Sequence, residues 1–189
     1  MPARFIPPHG GYQRLLSYQK AEIVYDATVR FCDRLVPAGD RTRDQMIQAA
    51  RSGKQNIVEG SQASAMSKQT EIFLTSVARA SFEELLGDYL DFLRNHGAAE
   101  WPEAHPYAQR LRHLNRTPGA TYATFQKGLE HSDPVICANV ILGLVRATCY
   151  LLDRQLRQLE AAFVKNGGIR ERMTQARLQE RRQQREQGT

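Results

Sequence analysis

Residues 68–97 read KQTEIFLTSVARASFEELLGDYLDFLRNHG, and the placement of their large apolar side chains decides the fold. Ser67 can cap this run and Gly97 can stop it, so the spacing predicts one long helix. Phe73, Val77 and Ala80 mark one face, whereas Phe82, Leu86, Tyr89 and Leu93 mark nearly the opposite one. A helix that is apolar on two faces has to be covered on both. Neighbouring helices of the same chain cover one of them. The other predicts either that residues 97–132 fold over it or that Phe82, Leu86, Tyr89 and Leu93 form a subunit interface.

The flanking sequence is helical as well. Residues 1–16 form a Pro/Gly-punctuated arm, and from Ser17 the apolar positions Ile23, Val24, Ala27, Phe31 and Leu35 recur at helical spacing until Pro37 and Gly39. Asp40 or Thr42 can cap a second helix, with Met46, Ala49, Ala50, Ile57 and Val58 on its inner side. Residues 97–132, with Trp101, Pro102, Pro106 and Pro118, predict an excursion holding short helices near 103–115 and 121–130. Asp133-Pro134 is a favourable start for a last long helix, with Val140, Ile141, Leu144, Thr148, Leu151 and Leu152 facing inward. Asp153 and Arg157 stand one turn apart and are positioned to pair, and Gly167-Gly168 ends the helix. No segment alternates like a strand. The expected fold is all-α: an antiparallel up-down four-helix bundle over 17–166, with the 97–132 insertion between helices 3 and 4 and a basic suffix over 167–189.

The second helix carries an odd stretch, SGKQNIVEGSQAS at 52–64. Gly53-Lys54 is not a phosphate loop, because Gln stands at 48 and at 55 where that motif needs Gly and Ser or Thr. Ala49, Ala50, Gly53, Ile57 and Gly60 instead make a small-residue seam, and helical glycines cost roughly 0.5–1 kcal/mol each unless a close neighbour requires them. Ser52, Asn56 and Glu59 fall within about 60° of one another beside that seam. With Ser81 of the facing helix they are expected to form a structural polar network, in which Glu59 requires donors if buried.

The run 45–89 resembles the four-helix-bundle proteins encoded in intervening sequences of bacterial 23S rRNA genes. The matching positions are Gln45, Ala49, Ala50, Ser52, Asn56, Ile57, Glu59, Gly60, Ser81, Glu84 and Leu85, with NIVEG the most specific part. Residues 138–173 look like the suffix-bearing subclass, through Tyr150–Gln155, Leu159-Glu160, Phe163 and Gly167–Met173. Compact relatives include the accessory variability determinant of diversity-generating retroelements, a basic homopentamer that binds nucleic acid and a reverse transcriptase. The resemblance therefore implies a non-enzymatic, RNA-binding accessory protein that forms a homo-oligomer, with a pentamer favoured and a reverse transcriptase as a possible partner.

Charge points the same way. The 189-residue chain carries a net charge of +6, which favours an acidic partner. From Arg170 onward six arginines face three glutamates. Arg170, Arg177, Arg181 and Arg185 lie within about 80° on a helical wheel and would form one basic stripe. Arg41, Arg43, Arg51 and Lys54 on the second helix form another basic group, which Arg14 and Lys20 could join. Repetition of these charges in an assembly would strengthen binding and steepen its salt dependence. Aromatic residues are sparse, so binding is expected to follow charge and shape rather than base identity. A protein–protein scaffold that uses the suffix helix is the alternative, and its signature is an exposed apolar patch around Trp101, Tyr107 and Phe163.

No catalytic triad, metal-ligand spacing or cofactor motif is visible, so neither enzyme activity nor a metal or cofactor is expected. Cys32, Cys137 and Cys149 are widely spaced and are expected to be free buried thiols. The opening residues lack an apolar core of secretory length, and no window reaches 18 consecutive apolar residues. The expected location is the cytoplasm, without a membrane segment.

Overall fold

The computed structural model describes residues 10–187, with side chains to 185; residues 1–9 of the expected N-terminal arm lie outside the described residues. The structure is all-α. A 3-10 turn at Tyr12–Arg14 leads into α1 (Leu16–Leu35), followed by α2 (Arg41–Ala63), α3 (Lys68–Asn95), α4 (Pro106–Asn115), α5 (Tyr122–Leu129), α6 (Pro134–Asn166) and α7 (Ile169–Gln187). The capping residues explain most boundaries. The side chains of Asp40, Ser67 and Asp133 accept hydrogen bonds from the Thr42, Thr70 and Val135 amides, and Gly97 and Gly167 take the left-handed φ values of 65° and 63° after α3 and α6.

α1 packs on α2 and α6, and α3 packs on α2 and α6, so α3 is enclosed by its own chain. Phe82, Leu86, Tyr89 and Leu93 are 0, 9, 0 and 1% exposed. These four residues are core, which corrects the expectation that they form a subunit interface. Residues 97–132 do not cover them either, because α4 and α5 pack on α6, and α5 also on α1. The stripe that turns inward on α3 is Glu71, Thr75, Ala78, Phe82, Leu85, Tyr89 and Leu93, a steady three-four spacing. Its first half is polar or small. Phe73 and Ala80 point outward, with Phe73 63% exposed, so the large residue near the start of α3 misstates its inner face.

The small-residue seam of α2 lets α3 approach closely. A Cβ on Gly53 would lie 2.6 Å from the Phe82 ring, and one on Gly60 would lie 3.4 Å from the Glu71 carbonyl oxygen. Beside the seam, the Ser52 and Ser81 hydroxyls meet at 3.1 Å, and Asn56 Nδ2 donates to Ser52 Oγ at 3.2 Å. Glu59 is exposed and stands outside this network, a correction to the four-residue expectation: it lies about 60° around the helix from Asn56, on the solvent side. The buried carboxylate at this contact is Glu71, balanced by Lys68 at 2.5 Å.

Side-chain bonds tie the remaining elements together. Asn139 of α6 accepts from the Trp101 amide and donates to the Ala99 carbonyl, fixing the loop that leads to α4. Arg34 of α1 donates to the Leu129, Glu130 and His131 carbonyls, placing a cation at the C-terminus of α5. Asp153 pairs with Arg79 of α3 rather than with Arg157. Part of α6 is long and apolar enough to cross a membrane, but 61% of that window is buried inside the protein.

Asp88 on α3 gives a pH-dependent test. Its Oδ2 is cut off from solvent without a hydrogen-bond donor, and burial, followed by repulsion from Glu84 and Asp91, pushes its pKa up to about 6. A carboxyl raised in the fold contributes stability that is complete below its unfolded value of about 4 and is lost as pH rises through 6. Asp88→Asn is therefore expected to stabilise the protein by about 1 kcal/mol at pH 7, after discounting for partial exposure, and by nothing at pH 4. Urea unfolding at the two pH values measures the difference.

Candidate nucleic-acid interface

α7 is the most polar helix, and it makes no extended packing contact with any other element. It begins after Gly167 and Gly168, where the Gly168 amide donates to Glu171 Oε2 at 2.9 Å and so caps the new helix. Arg170, Arg177, Arg181 and Arg185 are all exposed and follow one line along about 22 Å of helix. Met173 and Leu178 on the same helix are 45% and 49% exposed, as expected where no neighbour covers them. The result is a projecting rod with four of its six arginines on one side.

The second basic group does not converge. Arg14 belongs to the 3-10 turn, which packs against α2 in the region where the Gly10 amide donates to the Ser61 carbonyl. Arg41 lies at the other end of α2, about 30 Å from Ser61. Arg43 is half-buried and paired with Asp33, and Lys54 sits 4.1 Å from the Tyr25 ring centre. Arg41 and Arg51 are exposed but separated by about 15 Å along the helix and 80° around it.

Lys20 is no part of an exposed basic surface. It is 8% exposed, and its Nζ lies 4.7 Å from the Phe125 ring centre. The expected surface contact is corrected, because Lys20 faces inward beside Ala21 and Ser17 on the buried side of α1. Sequence spacing offered a hint: Lys20, Val24, Ala27 and Phe31 share one helical face.

The residues named for a scaffold patch are also separated. Trp101 stacks on His105 at 4.9 Å and meets Tyr107 at 5.4 Å. The Trp101 amide is held by Asn139, whereas Phe163 lies about 36 Å further along the same helix. They cannot form one patch.

The three cysteines are buried. Burial is the main cause that pushes the Cys32 and Cys149 thiols up to about 12 and about 11, and it raises Cys137 as well. These thiols are held protonated and so are poor nucleophiles. Among the described residues, no three His, Cys, Asp or Glu side chains form a metal-holding group. Compared with known proteins, the chain matches no protein-family model, no curated protein and no solved structure.

Proposed function

We propose that this chain is a non-enzymatic, nucleic-acid-binding accessory protein in which an up-down four-helix bundle of α1, α2, α3 and α6 carries α7 as an RNA-binding arm. One observation carries this reading: a helix with six arginines and three glutamates extends from the fold without an extended packing contact to it. Exposed guanidinium groups along one helix face suit successive phosphates of a polyanion, and they release counterions on binding. The resemblance at 45–89 agrees with an RNA partner, and a reverse transcriptase is the protein partner it implies. The reading does not need a subunit interface through Phe82, Leu86, Tyr89 and Leu93, which are buried within the chain. Self-association, with a pentamer as the assembly the resemblance favours, would use exposed side chains such as Met66 and Phe73, which are 62% and 63% exposed.

Filter binding of a structured RNA at about 50 and 200 mM salt tests the proposal. The wild-type chain is expected to bind at the lower salt and to weaken steeply at the higher. Replacing Arg170, Arg177, Arg181 and Arg185 together by Gln should lower affinity at least tenfold and flatten the salt slope. Absence of binding at low salt, or an unchanged slope in the variant, would overturn it.

A further inference from the structure

Lys20 poses a charge problem that the protein does not solve. Its Nζ is closed off from water and hydrogen-bonds to nothing among the described residues. Burial lowers its pKa, which expresses the cost of holding an ammonium ion there without a counter-ion. Lys20 lies in the wall of a groove of about 1190 Å³ between α4, α6 and the loop before α4.

The groove holds four arginines and two glutamates besides Lys20. Glu100 takes Arg146 through two hydrogen bonds of 2.5 and 2.6 Å, and Glu103 faces Arg112 at 3.5 Å. Lys20, Arg116 and Arg154 remain without an acidic partner among the described residues. Three uncompensated cations in one concave site favour an anion of more than one charge.

Two further features narrow the chemistry. Tyr150 is 59% exposed in the wall, with the Arg154 guanidinium 6.0 Å from its ring centre, a surface on which a planar ring can stack. Asn115 presents a buried Oδ1 that no donor reaches. An anion alone leaves that acceptor unsatisfied, whereas a ligand that also carries hydroxyl or amino groups can satisfy it. The volume accommodates such a ligand, since small-molecule sites span about 300–1,000 Å³.

We infer that this groove binds a nucleoside di- or triphosphate, with its phosphates held by Arg116 and Arg154 over the covered charge of Lys20 and its base against Tyr150. The site is separate from the α7 arginines and does not depend on RNA binding.

Calorimetric titration of the full chain with ATP, pyrophosphate and adenosine tests it. ATP is expected to bind at least tenfold more tightly than either fragment. Lys20→Met and the double variant Arg116→Gln/Arg154→Gln should each weaken ATP at least tenfold, and Tyr150→Ala should weaken ATP but leave pyrophosphate unchanged. The double variant alters exposed side chains, so it keeps the test valid if Lys20→Met fails to fold. The four-arginine α7 variant should bind ATP like the wild type. No heat from ATP at millimolar concentration, pyrophosphate binding as tightly as ATP, or loss of ATP binding only in the α7 variant would each overturn the inference.

Discussion

Tyr89→Ala is expected to remove about 3–5 kcal/mol of stability. Tyr89 is fully buried, its hydroxyl donates to Thr28 Oγ1 at 3.1 Å, and its ring meets that of Phe31 edge-on at 5.1 Å. Truncation therefore loses apolar burial, an aromatic pair and a buried hydrogen bond at once, and it leaves a cavity between α1 and α3. Tyr89→Phe keeps the ring and should cost only about 1 kcal/mol. Urea unfolding of the three proteins checks the ordering. A Tyr89→Ala protein that unfolds like the wild type but changes its subunit number would show Tyr89 to be an interface residue instead.

Gly53→Ala should destabilise by about 2 kcal/mol, although alanine is the better helix former by about 1. The added Cβ would fall 2.6, 2.7 and 2.9 Å from three atoms of the Phe82 ring, and that ring is fully buried and cannot swing away. Steric overlap therefore outweighs propensity. Gly87→Ala is the internal control: a Cβ there meets nothing within 4 Å, so the same substitution should be stabilising by about 0.5–1 kcal/mol. In a Phe82→Leu background, Gly53→Ala should cost much less than in the wild type, a coupling that a double-mutant cycle reads directly.

Helix caps and the glycine seam were legible in sequence because they are local. Asp40, Ser67 and Asp133 act on amides two or three residues away, and Gly53 and Gly60 announce a close neighbour by their cost. The orientation of α3 was not legible, because its inner stripe begins with Glu71 and Thr75 while Phe73 stands outside. Hydrophobic size favoured the wrong face over its first turns. The surrounding helices bury Glu71, and the ion pair with Lys68, one turn earlier on the same helix, makes that burial tolerable. The site residues divide in the same way. The α7 stripe depends on helical period alone, so sequence reveals it. Lys20 shares a helical face with Val24, Ala27 and Phe31, which hints at burial, but its covering neighbour Phe125 lies more than a hundred residues away and is not legible from spacing. The groove likewise joins residues from α1, α4 and α6, with no motif to mark it.

Hydrogen exchange of the full chain, with and without a structured RNA, tests the account most directly, because one experiment reports on both the enclosed third helix and the free arm. Amides of residues 82–93 are predicted to be protected in dilute protein whether or not RNA is present, whereas those of 170–185 should exchange rapidly alone and slow sharply when RNA is added. Rapid exchange at 82–93 in the free chain, or an α7 indifferent to RNA, would contradict it.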